Sequence, residues 1–286
     1  MLTATSPSVV TPTSIAEALA ALSGAGRGAA PLAGGTWIMR SPLRREALAP
    51  AYVALGRIPE LAVIAVAGNT IEIGAAVTHA DLAGALAAHP EFAALRAAAG
   101  NSANPAVRSA ATLGGNLCAP GFAAADLVPA LLCLDATVEI AGLSGSERMS
   151  VAEFLARRVD LRPGMLLTKV ILQRSLRRSV HVRLPLRKAG DYPVAIVSMA
   201  VGIDDRGCIA LPRIAVGSVE ATARRWTALE DALAGQTLDP ARASAIARSL
   251  TAGFSGREGV EAPGWYRVQV LPALVGRAVA ALASQA

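Results

Sequence analysis

Two short stretches of this chain carry residue types suited to holding an anion: Leu32-Ala33-Gly34-Gly35-Thr36-Trp37, and some eighty residues further on Ala111-Thr112-Leu113-Gly114-Gly115-Asn116. A glycine pair has no Cβ to keep a ligand off the backbone. It also permits positive φ, so successive amides can converge on one point. Thr and Asn add side-chain donors for oxygen atoms. One Gly-Gly pair alone reads as readily as a tight turn, but the recurrence, each time followed by a polar residue, predicts a phosphate cradle built from two loops. Beyond the second loop, Gly121 to Ala136 places Asp126 at the head of an apolar helical stretch. Such an Asp is by default a helix N-cap; its carboxylate could equally accept bonds from sugar or ribitol hydroxyls.

Elements that would carry these loops are legible in the surrounding pattern. Ser14-Ile15-Ala16-Glu17 is a capping box opening a helix with Ile15, Leu19 and Leu22 on one face. Strands are predicted at 30–33 and 52–55, a hairpin at 63–73 around Gly68-Asn69, and then a helix capped by Thr78. Further on come a helix at 126–134, a strand at 137–140, a turn at 142–145, a second capping box at Ser150 and a strand at 165–172. Gly24-Ala25-Gly26-Arg27-Gly28 follows a helix and precedes a strand, the reverse of a dinucleotide fingerprint, and is read as a loop. The basic stretch 173–179 is the candidate domain boundary. Past it, strands are expected at 181–186, 194–203 and 209–216, and helices at 223–233, after Asp239-Pro240 and after Trp265. This order favours a mixed sheet with helices over repeated βαβ units.

Length and composition bound the rest. With 286 residues the chain has room for at least two domains. No apolar run is long enough to span a membrane, and Met1 to Val10 lacks the build of a signal peptide, so the cytoplasm is the expected compartment. Cys118, Cys133 and Cys208 show no paired spacing. They read as reduced structural thiols, too few to hold an iron–sulfur cluster. The net charge of +6 is carried almost wholly by arginine and concentrates in Arg174, Arg177, Arg178, Arg183, Arg187 and Lys188. With only His181 and Tyr192 alongside and no nucleic-acid module around it, this patch reads as a solvated interdomain linker. His79, His89 and His181 match no zinc spacing and are expected at the surface or in caps, so no metal site is proposed. Trp37 reads as a core plug beside a turn.

The order of these parts resembles the FAD-binding middle subunit of the molybdenum hydroxylases, the xanthine dehydrogenase and carbon monoxide dehydrogenase flavoprotein type. The resemblance runs nearly end to end. It includes Ile58-Pro59-Glu60-Leu61, Ile71 to His79, Val107-Arg108, Asp126-Leu127-Val128-Pro129, Arg187-Lys188-Ala189-Gly190-Asp191-Tyr192, Gly264-Trp265-Tyr266-Arg267 and Gly276-Arg277-Ala278-Val279. It implies an α+β fold, with a two-lobed FAD-binding domain of the PCMH type at 1–174 (lobes 1–58 and 59–174) clasping FAD. An α/β C-terminal domain of the carbon monoxide dehydrogenase flavoprotein type would follow at 178–286. Leu32, Ala33, Gly34, Gly35, Thr36 and Ile38 match the family's first pyrophosphate loop. Thr112, Gly114, Gly115 and Asn116 match the second, Asp126 the acid near the ribityl or sugar hydroxyls, and Arg183 the position where relatives carry a Lys close to the flavin.

The chain departs from the family pattern at three places. Cys118 to Phe122 intervenes after the second loop and moves Asp126 one residue along. Ser102 stands where relatives often have a bulky apolar residue, leaving Phe122 among the candidates to stack on the isoalloxazine. Arg183 replaces the Lys.

As a member of this group the chain would be an oxidoreductase subunit with no catalytic acid–base residue of its own, since the flavin supplies the chemistry. Its partners would be a large molybdopterin-binding subunit and a small subunit with 2Fe-2S clusters, assembled as a dimer of heterotrimers. FAD would pass electrons to NAD, a quinone or oxygen. Two alternatives stand beside this: a self-sufficient flavin oxidoreductase, active alone, and a non-enzymatic basic binding module.

Overall fold

The computed structural model describes residues 7–24, 28–159, 161, 164–186 and 192–285. Three sheets follow one another along the chain. The first comprises β1 (Ser8–Val10), β2 (Ala29–Leu32) and β3 (Ala51–Ala54), all parallel, with β3 in the middle. The second has β4 (Ile64–Ala67), β5 (Thr70–Gly74), β6 (Thr137–Gly142), β7 (Gly145–Ser150) and β8 (Leu166–Gln173) in the order β4-β5-β8-β6-β7. The third is antiparallel: β9 (Arg178–Pro185), β10 (Pro193–Ile203), β11 (Ile209–Gly217) and the short β12 (Arg224–Arg225), in the order β12-β11-β10-β9.

The chain divides into two compact units, the first made of 1–79, 109–119 and 137–172, the second of 80–108, 120–136 and 173–286. In the first unit the helix Ile15–Gly24 connects β1 to β2 and buries Ala18, Leu19 and Leu22 against Val53, Leu55, Ile58 and Leu61. Its capping box forms as expected, with Ser14 accepting from the Glu17 amide and Glu17 from the Thr13 amide. A parallel sheet wound this way offers its carboxyl-terminal strand ends to ligands, and β2 delivers the first glycine pair at that end.

The second unit centres on β10, whose residues from Pro193 to Val201 are all buried. A strand covered on both faces reads as a continuous apolar run. On one face the helices Pro240–Ser249 and Leu271–Ala283 pack through Ala243, Ala247, Leu274, Val275, Ala278 and Leu282. On the other, the helix Leu127–Cys133, buried along its whole length, lies against β10 and β11, and Ala93–Asn101 lies against β9.

Several expectations shift. The 223–233 helix begins only at Thr227, because Arg224 and Arg225 pair with β11 as β12. The predicted turn at 142–145 is a hairpin whose second arm, β7, runs straight into the Ser150 cap. The basic stretch is not a solvated linker: Arg178 already belongs to β9, and Arg174, Arg177 and Arg183 bind Glu91, Asp135 and Asp126 at 2.8, 2.9 and 2.9 Å. Carboxylates from sequence-distant segments neutralise charges that look clustered along the chain. Arg187 and Lys188 of that patch, and the centre of the Gly24–Gly28 loop, lie outside the described residues.

The motif Gly264-Trp265-Tyr266-Arg267 has a structural explanation. Arg267 is fully buried and donates to the Val194 and Ser218 carbonyls (2.8 and 3.2 Å) and to Glu261 (3.1 Å). Gly264 allows backbone to pass where a Cβ would meet the Gly256 carbonyl oxygen at 2.2 Å. Removing one member of a buried charged network strands its partners, so Arg267→Leu is expected to destabilise the second unit by roughly 3–5 kcal/mol. Arg257→Leu, at the partly exposed edge of the same network, should cost much less. Denaturant unfolding of the apo chain measures both, and equal midpoints for R267L and wild type would overturn the assignment.

Candidate functional site

In the first unit the two glycine loops meet. A Cβ on Gly34 would lie 1.7 Å from the Ala110 carbonyl oxygen, so the first loop is pressed backbone to backbone against the approach to the second. The second loop is in turn laced to the segment after β5. Gly114 donates to the Ala75 carbonyl (2.8 Å), Leu113 to Val77 (2.9 Å) and His79 to Ala111 (2.9 Å), while Thr78 and Thr112 form an antiparallel bridge. A Cβ on Gly114 would sit 2.9 Å from the Ala75 carbonyl oxygen, so this glycine too is required by packing.

The two loops differ in what they can donate. Thr112 caps the short helix Leu113–Cys118 by accepting from the Gly115 amide at 3.1 Å, and its carbonyl takes the Asn116 amide at 3.0 Å. Together with the bonds above, every amide from Leu113 to Asn116 is therefore occupied within the unit. The second loop offers instead an exposed Gly115 surface, where a Cβ would meet only Thr112 Oγ1 at 3.0 Å, with Asn116 buried beside it. In the first loop the amides of Gly34, Gly35 and Thr36 have no partner among the described residues. Gly35 holds φ at +70°, which turns the chain into the 3-10 segment Ile38–Arg44, and its carbonyl accepts from Met39 at 2.8 Å. Three successive free N–H groups on a turn containing a left-handed glycine are the backbone pattern from which anion-binding concavities are built. A diphosphate fits such a cradle, whereas a chain without an anion would leave three donors unused. Leu32 closes β2 and accepts from Leu55 at 2.8 Å, and Ala33 packs on the core beneath the loop.

Trp37 is not a core plug. It is half-buried, with the Arg44 guanidinium 3.8 Å above its ring and Arg44 also donating to the Trp37 carbonyl at 3.1 Å. The cation–π contact pins the 3-10 segment that leads away from the loop.

The second unit holds Asp126 and Arg183 together. Asp126 stands at the start of the helix Leu127–Cys133 but makes no capping bond. Its backbone is already helical, which takes the carboxylate away from the cap position. Instead Oδ1 accepts from Arg183 Nε at 2.9 Å, both side chains being almost fully buried. Oδ2 has no partner among the described residues. Phe122 meets Tyr192 edge-on with ring centroids 5.7 Å apart, and Ser102 is buried, donating to the Ala99 carbonyl. Two histidines correct the expectation of surface or cap positions, His79 being buried and the His181 side chain fully enclosed, while His89 stands at the end of one 3-10 turn and the start of the next. Strand alternation puts Val180 and Val182 in the core and His181 and Arg183 on the opposite face of β9. That period was readable in the sequence, but the partner for His181 came from another strand. Cys133, sealed in the core, has its thiol pushed up by burial and is inert packing.

A parallel-sheet loop with free amides, backed by a second glycine loop, is a build suited to a phosphate-bearing cofactor. Residues 4–173 match the FAD-binding domain in molybdopterin dehydrogenase, and residues 181–282 match the CO dehydrogenase flavoprotein C-terminal domain. The chain belongs to this family of FAD-binding medium subunits of molybdenum hydroxylases, and its own cofactor is FAD. It is 30% identical over 270 residues to the 6-hydroxypseudooxynicotine dehydrogenase complex subunit alpha of Paenarthrobacter nicotinovorans, covering 93% of this chain and 91% of that one. To the carbon monoxide dehydrogenase medium chain of Afipia carboxidovorans it is 30% identical over 274 residues, covering 94% and 93%. Among solved structures, carbon monoxide dehydrogenase from Hydrogenophaga pseudoflava superposes with a TM-score of 0.90 at 25% identity over 98% of each chain.

The glycines separate packing from ligand approach. Gly34→Ala drives a methyl into the Ala110 carbonyl and is expected to lower the thermal midpoint of the apo chain as well as its FAD content. Gly115→Ala adds a methyl whose one close contact is the capping Thr112 Oγ1 at 3.0 Å, a side chain that can give, so the apo midpoint should fall far less than in G34A while FAD content falls. Thermal unfolding with and without FAD, with flavin absorbance of the purified chain, tests the pair. Full FAD occupancy in G115A would remove the second loop from the site.

Proposed function

We propose that this chain is the flavin relay of a three-subunit molybdenum hydroxylase. Its FAD takes electrons from 2Fe-2S clusters of a small partner subunit and gives them to an external acceptor such as NAD, a quinone or oxygen. FAD supplies the redox chemistry; the protein binds, orients and shields it. The single observation carrying the cofactor assignment is the run of three unpartnered amides at Gly34, Gly35 and Thr36 set against the second glycine loop. In this reading Leu32, Ala33, Gly34, Gly35, Thr36 and Ile38 hold the pyrophosphate. Thr112, Gly114, Gly115 and Asn116 back it and admit its close approach. In the second unit Asp126 offers Oδ2 to flavin hydroxyls while Arg183 fixes that carboxylate.

The large partner would carry the molybdopterin cofactor and oxidise the substrate, so this chain needs no catalytic acid or base. The relatives named above as a complex subunit and a medium chain support a subunit role, and assembly as a dimer of heterotrimers in the cytoplasm follows the same reading. Among the described residues no helix is long and apolar enough to cross a membrane. Ion pairing of Arg174, Arg177 and Arg183 weighs against a nucleic-acid module, since those charges are already spent on carboxylates.

Two measurements test the proposal. Denaturing the purified chain should release intact FAD into the supernatant; flavin that stays with the chain would contradict noncovalent binding. The isolated chain should be reduced by artificial donors yet oxidise no aldehyde, carbon monoxide or N-heterocycle. Substrate-dependent reduction of its FAD should appear only when both the large and small subunits are added. Turnover by the chain alone would favour a self-sufficient flavoenzyme.

A further inference from the structure

We infer that His181, held by Ser198, is a positioning residue for the cofactor, acting through Asp126; this rests on the reading that Asp126 binds FAD. His181 and Ser198 are directly paired across β9 and β10, and His181 Nδ1 lies 2.9 Å from Ser198 Oγ. Both side chains are wholly buried. His181 Nε2, enclosed and without a hydrogen-bond partner, lies 3.5 Å from the same Asp126 Oδ1 that accepts from Arg183.

For a neutral imidazole the geometry selects a tautomer. If Nδ1 carried the proton, the Nε2 lone pair would face a buried carboxylate oxygen, two acceptors opposed in a medium that screens little. If Ser198 donates its hydroxyl proton to Nδ1, then Nε2 carries the hydrogen and directs it at Asp126. Ser198 has no other role in view, since it touches neither glycine loop nor the Asp126 carboxylate. A partner that orients an imidazole so that its far nitrogen presents the correct group is the logic seen behind many functional side chains. The charged groups around this face are few. Asp126 stands against the imidazole and Arg183 lies two residues along the same face of β9, the helix Leu127–Cys133 brings no other charge, and Ala93–Asn101 brings only the exposed Arg96.

The consequence concerns Asp126. With Oδ1 bounded by the Arg183 guanidinium on one side and the His181 N–H on the other, rotation of the carboxylate is restricted and Oδ2 stays available to a ligand hydroxyl. Arg183 alone supplies one bond through Nε, which fixes a distance but leaves the carboxylate free to turn about it. The imidazole is the second point of support. At 3.5 Å it acts as a dipole–charge contact weaker than a full hydrogen bond, so its removal is expected to weaken FAD affinity about twofold to fivefold.

The test uses the full apo chain, with FAD binding followed by quenching of flavin fluorescence and folding by thermal midpoint. His181→Leu and Ser198→Ala are expected to weaken FAD binding by that factor. His181→Gln, whose amide N–H can reach toward Asp126, should restore most of it. In an Asp126→Asn background His181→Leu should have no further effect, because the support then has nothing to hold. Should His181→Leu fail to fold, Ser198→Ala and His181→Gln carry the test. Wild-type affinity in both H181L and S198A, alongside weakened D126N, would overturn the positioning role while leaving Asp126 as a ligand. An equal loss in H181L and H181Q would reduce His181 to packing. Wild-type affinity in D126N would refute the Asp126 reading itself, and this one with it.

Discussion

The first glycine loop depends on a contact in which one side chain has to be absent. Gly34 lies so close to the Ala110 carbonyl that any Cβ would overlap it, and through this contact two segments eighty residues apart in sequence become a single surface. Everything about the loop's donors follows. Because Gly34 is pinned and Gly35 turns through a positive φ, the chain leaves β2 without pairing onward, and three amides in a row are left without a partner among the described residues. Buried or half-buried amides without partners are rare in folded proteins because each costs about 1–3 kcal/mol. Three together mark a place where something other than protein completes the bonding.

The second loop has the opposite economy. Its amides are consumed by Thr112, Ala75 and Val77, which makes it rigid and leaves it nothing to donate from the backbone. Two similar sequences thus serve different ends: one gives hydrogen bonds, the other gives a firm wall with a bare Cα at Gly115. In the second unit recognition would rest on charge instead. Asp126 and Arg183 are almost fully enclosed, and a buried ion pair is stable only when further groups satisfy it. The Ser198–His181 pair supplies part of that satisfaction at Oδ1, which leaves Oδ2 as the one unengaged polar atom of the carboxylate.

The same unit uses arginine structurally elsewhere. Asp135, itself at a positive φ after the helix Leu127–Cys133, gathers Arg177, Arg213 and Arg225 at 2.9 to 3.2 Å. Arg267 bonds two carbonyls and Glu261 inside the core edge. A basic sequence with a net charge of +6 accordingly has much of its arginine committed to holding loops in place, through planar multi-donor contacts that lysine could not replicate.

Local order wrote much of this fold into the sequence. The capping boxes at Ser14 and Ser150, the Gly68-Asn69 hairpin, the apolar run of β10 and Pro240 at a helix start are all effects of neighbours on neighbours, and each element forms within a residue or two of where the pattern puts it. The glycine pairs were likewise visible as special backbone, since a Cβ would collide at Gly34 and Gly114 and the positive φ of Gly35 is one that glycine adopts most readily. What only the tertiary structure decided were the partnerships. Asp126 reads as a helix cap because caps are local, yet it binds Arg183, fifty-seven residues away. His181 reads as a surface residue because histidine is polar, yet a strand that pairs at Ser198 encloses it. That the Gly114 amide is taken while that of Gly34 stays free depended on the Ala75 carbonyl, brought in by the segment after β5. Sequence fixes conformations whose energies are set within a few residues; the choice among possible partners for a charge or a donor is made by packing, where long-range contacts outweigh any local preference.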